Sequence, residues 1–206
     1  VANMAAIVAG ESGVKLIDCT AKCGSYIVLN HVVGGGPMLD ALLTQVSDIQ
    51  ITGGSYQTEN EAVVVKSNNA DILFDGAKVK SFAGILVRSK LNDDPCAPDP
   101  AGKEVYGIHV TLKNMDTAND IIHGDPNRPM TVALEKSVLT GAITGGALVS
   151  FDGESRWTAT GDSDIVLNGD VDAAQIDALP GVTITAAGSE AATVSLPSGG
   201  TLIVTI

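Results

Sequence analysis

Aromatic residues are scarce in this chain. Phe, Trp and Tyr make up only 3% of the 206 residues, although 45% of the residues are apolar. Val, Ile, Leu and Ala must therefore fill the core, because a wide globular interior usually recruits larger rings. The scarcity predicts a narrow, layered interior. It also leaves a sugar-binding platform few rings to use: Tyr26, Tyr56, Tyr106 and Trp157.

Basic residues are scarce as well. Twelve Lys and Arg oppose 24 Asp and Glu, which gives a formal net charge of −12. Phosphate contacts need clustered Lys and Arg, and no such cluster occurs, so the composition argues against nucleic acid and anionic membranes as partners. We interpret the acidic excess as a solvated surface. An acidic surface is compatible with neutral or basic partners, and Ca²⁺ is the one cofactor that it would suit.

Long apolar runs and an even set of cysteines are also missing. No stretch reaches the roughly 18 apolar residues of a membrane span, so we expect no membrane insertion. Three cysteines cannot all pair within one chain. Cys19 and Cys23 are the candidate disulfide, with Cys96 free or paired to either of them. Cys-x3-Cys with three distant histidines does not supply the ligand set of a zinc site.

Short alternating apolar runs, separated by Gly, Asn, Asp and Ser, fill residues 46–164. Such alternation predicts strands with one buried face. The runs recur at roughly 22–23 residues, from Ile51 to Phe74, from Leu112 to Leu134 and from there to Trp157. This period is typical of a β-solenoid, in which stacked coils share one core. The sequence therefore predicts an all-β chain folded as a parallel β-helix.

The regions outside these coils do not show the regular repeat of short apolar runs. Residues 1–45 form an irregular N-terminal region or cap, although 38–46 has helical spacing that suits a packed loop equally well. Residues 91–103 contain three prolines and must form an excursion, since proline cannot donate to a strand ladder. Residues 165–206 are predicted to be atypical terminal coils or a cap.

The last six residues, TLIVTI, predict a strand that ends the chain. Such a strand either pairs with the body or projects towards another subunit. A free edge would let it add to a neighbour's sheet and build a filament. The candidate interaction residues are Thr201, Leu202, Ile203, Val204, Thr205 and Ile206.

One cluster contains residue types that acid–base catalysis uses, because His123 lies between Asp120 and Asp125 in the sequence. Polysaccharide lyases and glycosidases use carboxylate pairs, or Ca²⁺ with a basic proton acceptor. The same segment, Gly124-Asp125-Pro126, also predicts a turn in which His123 bonds its own loop. We favour the turn, and keep the three residues as the catalytic candidates of an alternative reading.

Further acids and bases are spread along the chain. Asp93 and Asp94 are candidate Ca²⁺ ligands, although they lack the ligand spacing of a dedicated calcium loop. A solvated loop is the favoured interpretation of both. The other candidates are the acids Asp71, Asp75 and Asp116 and the bases Arg88, Lys90 and His109.

The C-terminal half resembles a known family in two segments, Leu134-x-x-Ser137-Val-Leu-Thr-Gly-Ala-Ile143 and Ser155-x-Trp157-x-Ala-Thr160-Gly161-Asp162-Ser163. They resemble bacterial extracellular right-handed β-helix proteins, including passenger regions of autotransporter-like adhesins. The resemblance covers about residues 106–206. It implies an exported right-handed β-helix of pectin-lyase-like shape, with Trp157 over the core and residues 161–163 in a turn. No catalytic residue is carried over.

These expectations favour an extracellular or cell-surface structural or adhesive protein without catalysis. It would act by presenting turns on a rigid scaffold, or by self-association. The expected partner is another copy, a host or surface glycan, or a protein. The alternative is a carbohydrate-active enzyme or glycan-binding module on the same fold. A globular β-sandwich, in which the period is coincidental, is the third interpretation.

Overall fold

The chain folds almost entirely into short strands, as the alternating runs predict. The computed structural model describes residues 2–9, 11–31, 43–92, 102–167 and 173–206. Within these ranges it contains 22 strands and one short 3-10 helix, Ala173–Gln175. The predicted all-β class is confirmed.

The strands are mostly three to seven residues long. In chain order they are β1 (Ala2–Val8), β2 (Gly13–Ile17), β3 (Thr20–His31), β4 (Val46–Thr52), β5 (Ser55–Thr58), β6 (Val63–Lys66), β7 (Asn69–Asp75), β8 (Lys78–Ser81), β9 (Ile85–Lys90), β10 (Ile108–Lys113), β11 (Asp116–Ala118), β12 (Asp120–Gly124), β13 (Met130–Glu135), β14 (Val138–Thr140), β15 (Ile143–Thr144), β16 (Ala147–Phe151), β17 (Arg156–Ala159), β18 (Ser163–Leu167), β19 (Ile176–Ala178), β20 (Thr183–Ala187), β21 (Ala192–Ser195) and β22 (Thr201–Thr205).

Three sheets share these strands. An eight-stranded sheet follows the path β15-β12-β9-β6-β3-β5-β8, with β1 also on β3. A ten-stranded sheet has the order β2-β4-β7-β10-β13-β16-β18-β20-β22-β21, and a four-stranded sheet the order β11-β14-β17-β19. Among the described residues, every pair is parallel except β21 with β22. Parallel neighbours need a long connection, and here the chain passes through the other sheets before it returns.

The register of the ten-stranded sheet tests the predicted interval directly. Ile51 pairs with Phe74 and Leu112 with Leu134, as the period predicts. The third step is wrong, because Leu134 pairs with Phe151 and Trp157 belongs to the four-stranded sheet. The chain takes a shorter path after β13, since Thr131 pairs with Leu148, only 17 positions further on. The interval of 22–23 residues therefore holds for two steps, from β4 to β7 and from β10 to β13. The step between them, from β7 to β10, is 38 residues long, and the steps of the C-terminal third are shorter.

Small and polar residues make the corners between strands. Ser67 has a φ of 45° and Asn114 a φ of 51°, and both lie in turns that the sequence predicts. This left-handed backbone costs most side chains energy, but Asn tolerates it through local hydrogen bonds. Gly76, with a φ of 61°, makes the corresponding corner after β7. Each corner redirects the chain from one sheet to the next.

Aliphatic side chains fill the interior between the sheets, as the composition predicts. In β4, Ile49 and Ile51 point inward and are fully buried, while Asp48 and Gln50 point outward. Trp157 is also buried, and its indole Nε1 donates to the carbonyl oxygen of Gly141 at 2.8 Å. That bond satisfies the one polar atom of the ring, which would otherwise be costly to bury.

Several sequence predictions fall outside the described residues. They include most of the 38–46 segment, most of the 91–103 excursion, the calcium candidates Asp93 and Asp94, and Cys96. Val46, the last residue of the helical pattern, is the first residue of β4. No helix within the described ranges has the length and apolar character to cross a membrane.

Candidate functional site

A row of polar side chains crosses the outer face of the ten-stranded sheet. Asp48 of β4 pairs with Asp71 of β7, which pairs with His109 of β10. All three alternate with buried residues and so point away from the core. Neighbouring strands lie about 4.8 Å apart, so the register holds these three side chains in one line.

A shallow cleft of about 130 Å³ opens over this row. Gln50 donates from Nε2 to both oxygens of Asp48, at 3.0 and 2.9 Å. Lys15 brings its ammonium to 4.0 Å from the same carboxylate. These donors hold the Asp48 side chain in place and offset part of its charge. The cleft is lined by Asp48, Asp71, Ile72, Leu73, His109 and Thr111.

Tyr106 stands at the rim of the cleft and belongs to the site. Its hydroxyl donates to the two oxygens of Asp71, at 3.0 and 3.1 Å, and its ring meets His109 edge-on with centroids 4.7 Å apart. The bond to Asp71 raises the pKa of the Tyr106 phenol, so the hydroxyl keeps its proton and remains a donor. Tyr106 as a residue is 44% exposed, whereas Tyr56 and Trp157 are buried.

The predicted cluster of Asp120, His123 and Asp125 is only partly brought together, because Asp125 is near enough to raise the pKa of His123 whereas Asp120 has other neighbours. Asp120 and His123 are three residues apart on β12, and alternation directs their side chains to opposite faces of the strand. Asp120 instead accepts the backbone N–H of Ala142 from the next coil, at 2.8 Å. His123 contacts Ser89, with Nδ1 2.6 Å from Oγ. Asp120 and His123 therefore bind different neighbours.

His123 is held in its neutral form by its surroundings. Burial is the main cause that lowers the pKa of the imidazole, and Asp125 and Asp164 raise it by a smaller amount. Ser89 also accepts the backbone N–H of Gly124 at 3.1 Å, so its hydroxyl links two neighbouring coils. The Ser89 side chain is itself buried, which keeps it from an external substrate. The His123–Ser89 pair therefore ties β9 to β12.

Asp125 lies in the predicted turn and has a partner that sequence reasoning missed. Arg128 donates from Nη1 to Asp125 Oδ2 at 3.1 Å, and both side chains are buried. The N–H of Asn127 donates to the other carboxylate oxygen, also at 3.1 Å. The signal available in the sequence was an acid and an arginine three positions apart across a Pro-Asn turn. The turn spans residues 125–128, where the N–H of Arg128 donates to the carbonyl oxygen of Asp125 at 3.2 Å, while Gly124 is still the last residue of β12.

Many of the acidic residues have a structural use at the corners. Asp162 accepts the N–H of Thr183, and Asp164 accepts the N–H of Gly145, both at 2.9 Å. Asp177 accepts the N–H of Ser198 at 3.0 Å. In each case a carboxylate satisfies a backbone donor that lies 19 to 21 positions away in the sequence. The acidic excess is therefore more than a solvated surface.

Two of the remaining candidate acids and bases, Asp75 and Arg88, form isolated pairs. Asp75 accepts from Asn114 Nδ2 at 2.7 Å and lies 3.9 Å from Lys113. Arg88 pairs with Glu61 at 2.7 Å. Asp116 is exposed at the start of β11. In the part of the chain that the structure describes, no three His, Cys, Asp or Glu side chains are grouped as a metal ion would require.

The candidate disulfide between Cys19 and Cys23 is not formed, and both are free thiols. Cys23 lies in β3 and Cys19 immediately precedes it. Four extended residues span about 13 Å, far beyond the roughly 7 Å that a disulfide tolerates between Cα atoms. Burial raises the pKa of the Cys23 thiol, which keeps it protonated.

The two ends of the ten-stranded sheet differ. The predicted final strand is confirmed as β22, but β20 pairs with one of its edges and β21 with the other. Its backbone therefore offers no free edge, and addition to a neighbour's sheet through residues 201–206 does not fit this geometry. Ile206 beyond it is exposed. At the opposite end, β2 pairs with β4 alone among the described strands.

Comparison with known proteins assigns no family to this chain. No family model, curated protein or solved structure matches the chain. The resemblance to extracellular β-helix proteins therefore remains a prediction from two sequence segments. Any function must be argued from the cleft, the corners and the sheet ends.

Proposed function

We propose that this chain is a structural or adhesive protein of the extracellular space or cell surface, built as a right-handed parallel β-helix. Its role is to stack coils and present their corners, with no catalysis. Support comes from the three parallel sheets that share one core and from the matched pairs 22–23 residues apart in the middle of the chain. A stack of this kind gains stability from each added coil, which suits a rigid scaffold.

The observation that carries this proposal is the open edge of β2. Asp18 donates its N–H to Thr52 of β4 at 2.8 Å, and Ser12 accepts from Asp48 at 3.2 Å. Backbone groups alternate between the two edges of a strand, so the even-numbered residues of β2 face β4. Gly13, Lys15 and Ile17 turn their N–H and C=O groups to the other edge, where no described strand pairs with them.

Apolar groups accompany this open edge. Ile17 at its end is 61% exposed, and Ile7 of β1 is 59% exposed. Val14 and Leu16 pack against the core but are only partly covered. An edge strand with exposed apolar residues and no proline is a template for further strand pairing. The partner we propose is a second copy, joined edge to edge through its own β1 and β2.

A proline at position 15 tests this contact. Lys15→Pro removes an N–H from the open edge and leaves the donors that face β4 in place, since proline is tolerated on edge strands. We expect light scattering over a concentration series to show oligomers of the native chain and a monomer for Lys15→Pro. Lys15→Ala is the matched control, because it removes the same charge and keeps the N–H.

Three results would contradict the proposal. A native chain that stays monomeric at every concentration has no self-associating end. Oligomers that persist unchanged in Lys15→Pro use another surface. Equal loss in Lys15→Ala and Lys15→Pro would assign the contact to the ammonium group, which lies near Asp48, rather than to the backbone edge.

A further inference from the structure

The cleft over Asp48, Asp71 and His109 can take only certain ligands. Ionised carboxylates accept hydrogen bonds and cannot donate them. Each has about four acceptor sites. In this structure Gln50 donates to both oxygens of Asp48, and the Tyr106 hydroxyl is shared between both oxygens of Asp71. Acceptor sites therefore remain on both side chains, and the Asp48 side chain is half exposed. A complementary ligand must bring hydrogen-bond donors.

The residues next to the two carboxylates indicate whether the ligand is a metal ion or a molecule with hydrogen-bond donors. A metal ion needs several ligating side chains around one point, and the described residues contain no such group of three. Next to Asp71 lies instead the ring of Tyr106, an exposed residue whose hydroxyl bonds to Asp71 and whose ring contacts His109. An aromatic face with adjacent polar groups suits a ligand that is apolar on one side and hydroxylated at its rim. A pyranose ring has this character.

The charge of the site narrows the class of sugar. Asp48 and Asp71 face one ligand from adjacent strands, and the chain carries a net charge of −12. An acidic sugar would bring a like charge close to two carboxylates, which is unfavourable. A neutral sugar brings hydroxyl donors without that cost.

We propose that this cleft binds one unit of a neutral glycan. The hydroxyls of the sugar donate to Asp48 and Asp71, and its C–H face packs on Tyr106. Thr131 contacts Nδ1 of His109 at 2.8 Å, and this contact holds the imidazole that packs against the Tyr106 ring. The assignment is independent of the open edge of β2, because the cleft lies on the outer face of β4, β7 and β10.

Affinity electrophoresis tests this assignment with soluble polysaccharides as the probes. The native chain is run through gels that contain a neutral glucan, mannan or xylan, and through gels that contain polygalacturonate. We expect at least one neutral polymer to retard the chain and polygalacturonate to leave it unretarded. Asp71→Asn and Tyr106→Ala should each weaken the retardation about tenfold or more, since each removes a contact at the ligand.

Asp75→Asn is the matched control for Asp71→Asn. Asp75 lies on the same strand and the same face, four residues away and outside the cleft. It should bind like the native chain. Unfolding curves of the variants separate loss of binding from loss of folding, and Tyr106→Ala tests the site if Asp71→Asn does not fold.

Four outcomes would overturn the assignment. The first is no retardation by any neutral polymer, and the second is equal retardation by polygalacturonate. The third is an equal effect of Asp71→Asn and Asp75→Asn, which would place binding elsewhere. The fourth is retardation that requires Ca²⁺ and disappears with EDTA, which would make the carboxylates a cation site.

Discussion

Arg128 lies 3.1 Å from Asp125, and both side chains are withdrawn from solvent in the turn between β12 and β13. Nε and Nη2 of Arg128 have no hydrogen-bond partner among the described residues. A buried ion pair gives little net stability over an apolar pair of the same volume, but loss of one partner leaves an uncompensated charge. The turn therefore depends on the two residues together.

Replacing one residue of this pair should destabilise the chain more than replacing both residues. We expect Asp125→Ala to lower the free energy of unfolding by about 3 to 5 kcal/mol, because Arg128 is left buried and unpaired. The double variant Asp125→Ala with Arg128→Met should recover much of that loss. Urea unfolding followed by circular dichroism measures both. A cost below about 1 kcal/mol for Asp125→Ala would show that water reaches the guanidinium.

Two adjacent glycines should respond very differently to the same substitution. Gly145 has a φ of +90°, and a Cβ there would overlap the carbonyl oxygen of His123. Gly146 also has a positive φ, +72°, but a Cβ there meets nothing within 4 Å. We expect Gly146→Ala to cost about 1 to 2 kcal/mol, the cost of a left-handed alanine. Gly145→Ala should cost clearly more or prevent folding.

Thermal unfolding of the two variants provides the comparison. Gly146→Ala serves as the control for Gly145→Ala, because the chemical change and the sign of φ are the same. Equal midpoints for the two would mean that β12 and the corner at Gly145 are further apart than the structure places them.

His123 should make the stability of the chain depend on pH. Burial lowers its pKa in the folded state below the unfolded value of about 6.5, so the unfolded chain binds its proton first. Stability contributed by neutral His123 is then full above that value and falls as the pH drops below it. We expect the native chain to lose more stability between pH 7.5 and 5.5 than His123→Gln does. Urea midpoints at the two pH values measure the difference.

The two other histidines, His31 and His109, are present in both proteins and cancel in this comparison. Parallel pH profiles for the native chain and His123→Gln would contradict the prediction. A native chain that becomes more stable on acidification would reverse it, and would mean that Asp125 and Asp164 outweigh burial.

Asp152 should make the stability of the chain depend on pH in a second, lower pH range. Its carboxylate accepts from the Ser155 hydroxyl at 2.7 Å and from the N–H of Lys136 in the neighbouring coil at 2.7 Å. The Ser155 bond is the main cause that lowers the pKa of this carboxyl. Ionised Asp152 therefore stabilises the folded chain at pH values above its unfolded pKa of about 3.9. This stabilisation is lost as the pH falls through the lower pKa of the folded state.

Asp152→Ala should destabilise the chain by about 1 kcal/mol at pH 7, through the loss of these bonds. The difference from the native chain should shrink towards pH 3. Asp116→Ala is the control, since Asp116 is exposed at the start of β11. If the two variants unfold alike at pH 7, the corner carboxylates do not stabilise the stack.

The period in the sequence predicted strand register where coil length is constant. Leu112 and Leu134 are opposite each other because the two short strands between them, β11 and β12, and their corners take up the same length as the predicted repeat. The period does not predict the pairing of Leu134 and Trp157, because a turn shortened by a few residues leaves the apolar pattern intact. Counting apolar residues cannot tell which sheet a given run joins.

The sequence by itself determined the class of structure and the composition of the core. Alternating aliphatic runs with Gly, Asn and Asp between them can bury their apolar face only as stacked strands. It also supplied Asp71 and His109 as separate candidates. Only the tertiary structure decided that these two pair directly, 38 positions apart, and that Tyr106 stands beside them. Likewise, Thr201–Thr205 was predicted as a strand, but its neighbours decided that its edges are closed. Long-range register depends on the packing of every coil between two residues, and no local pattern records it.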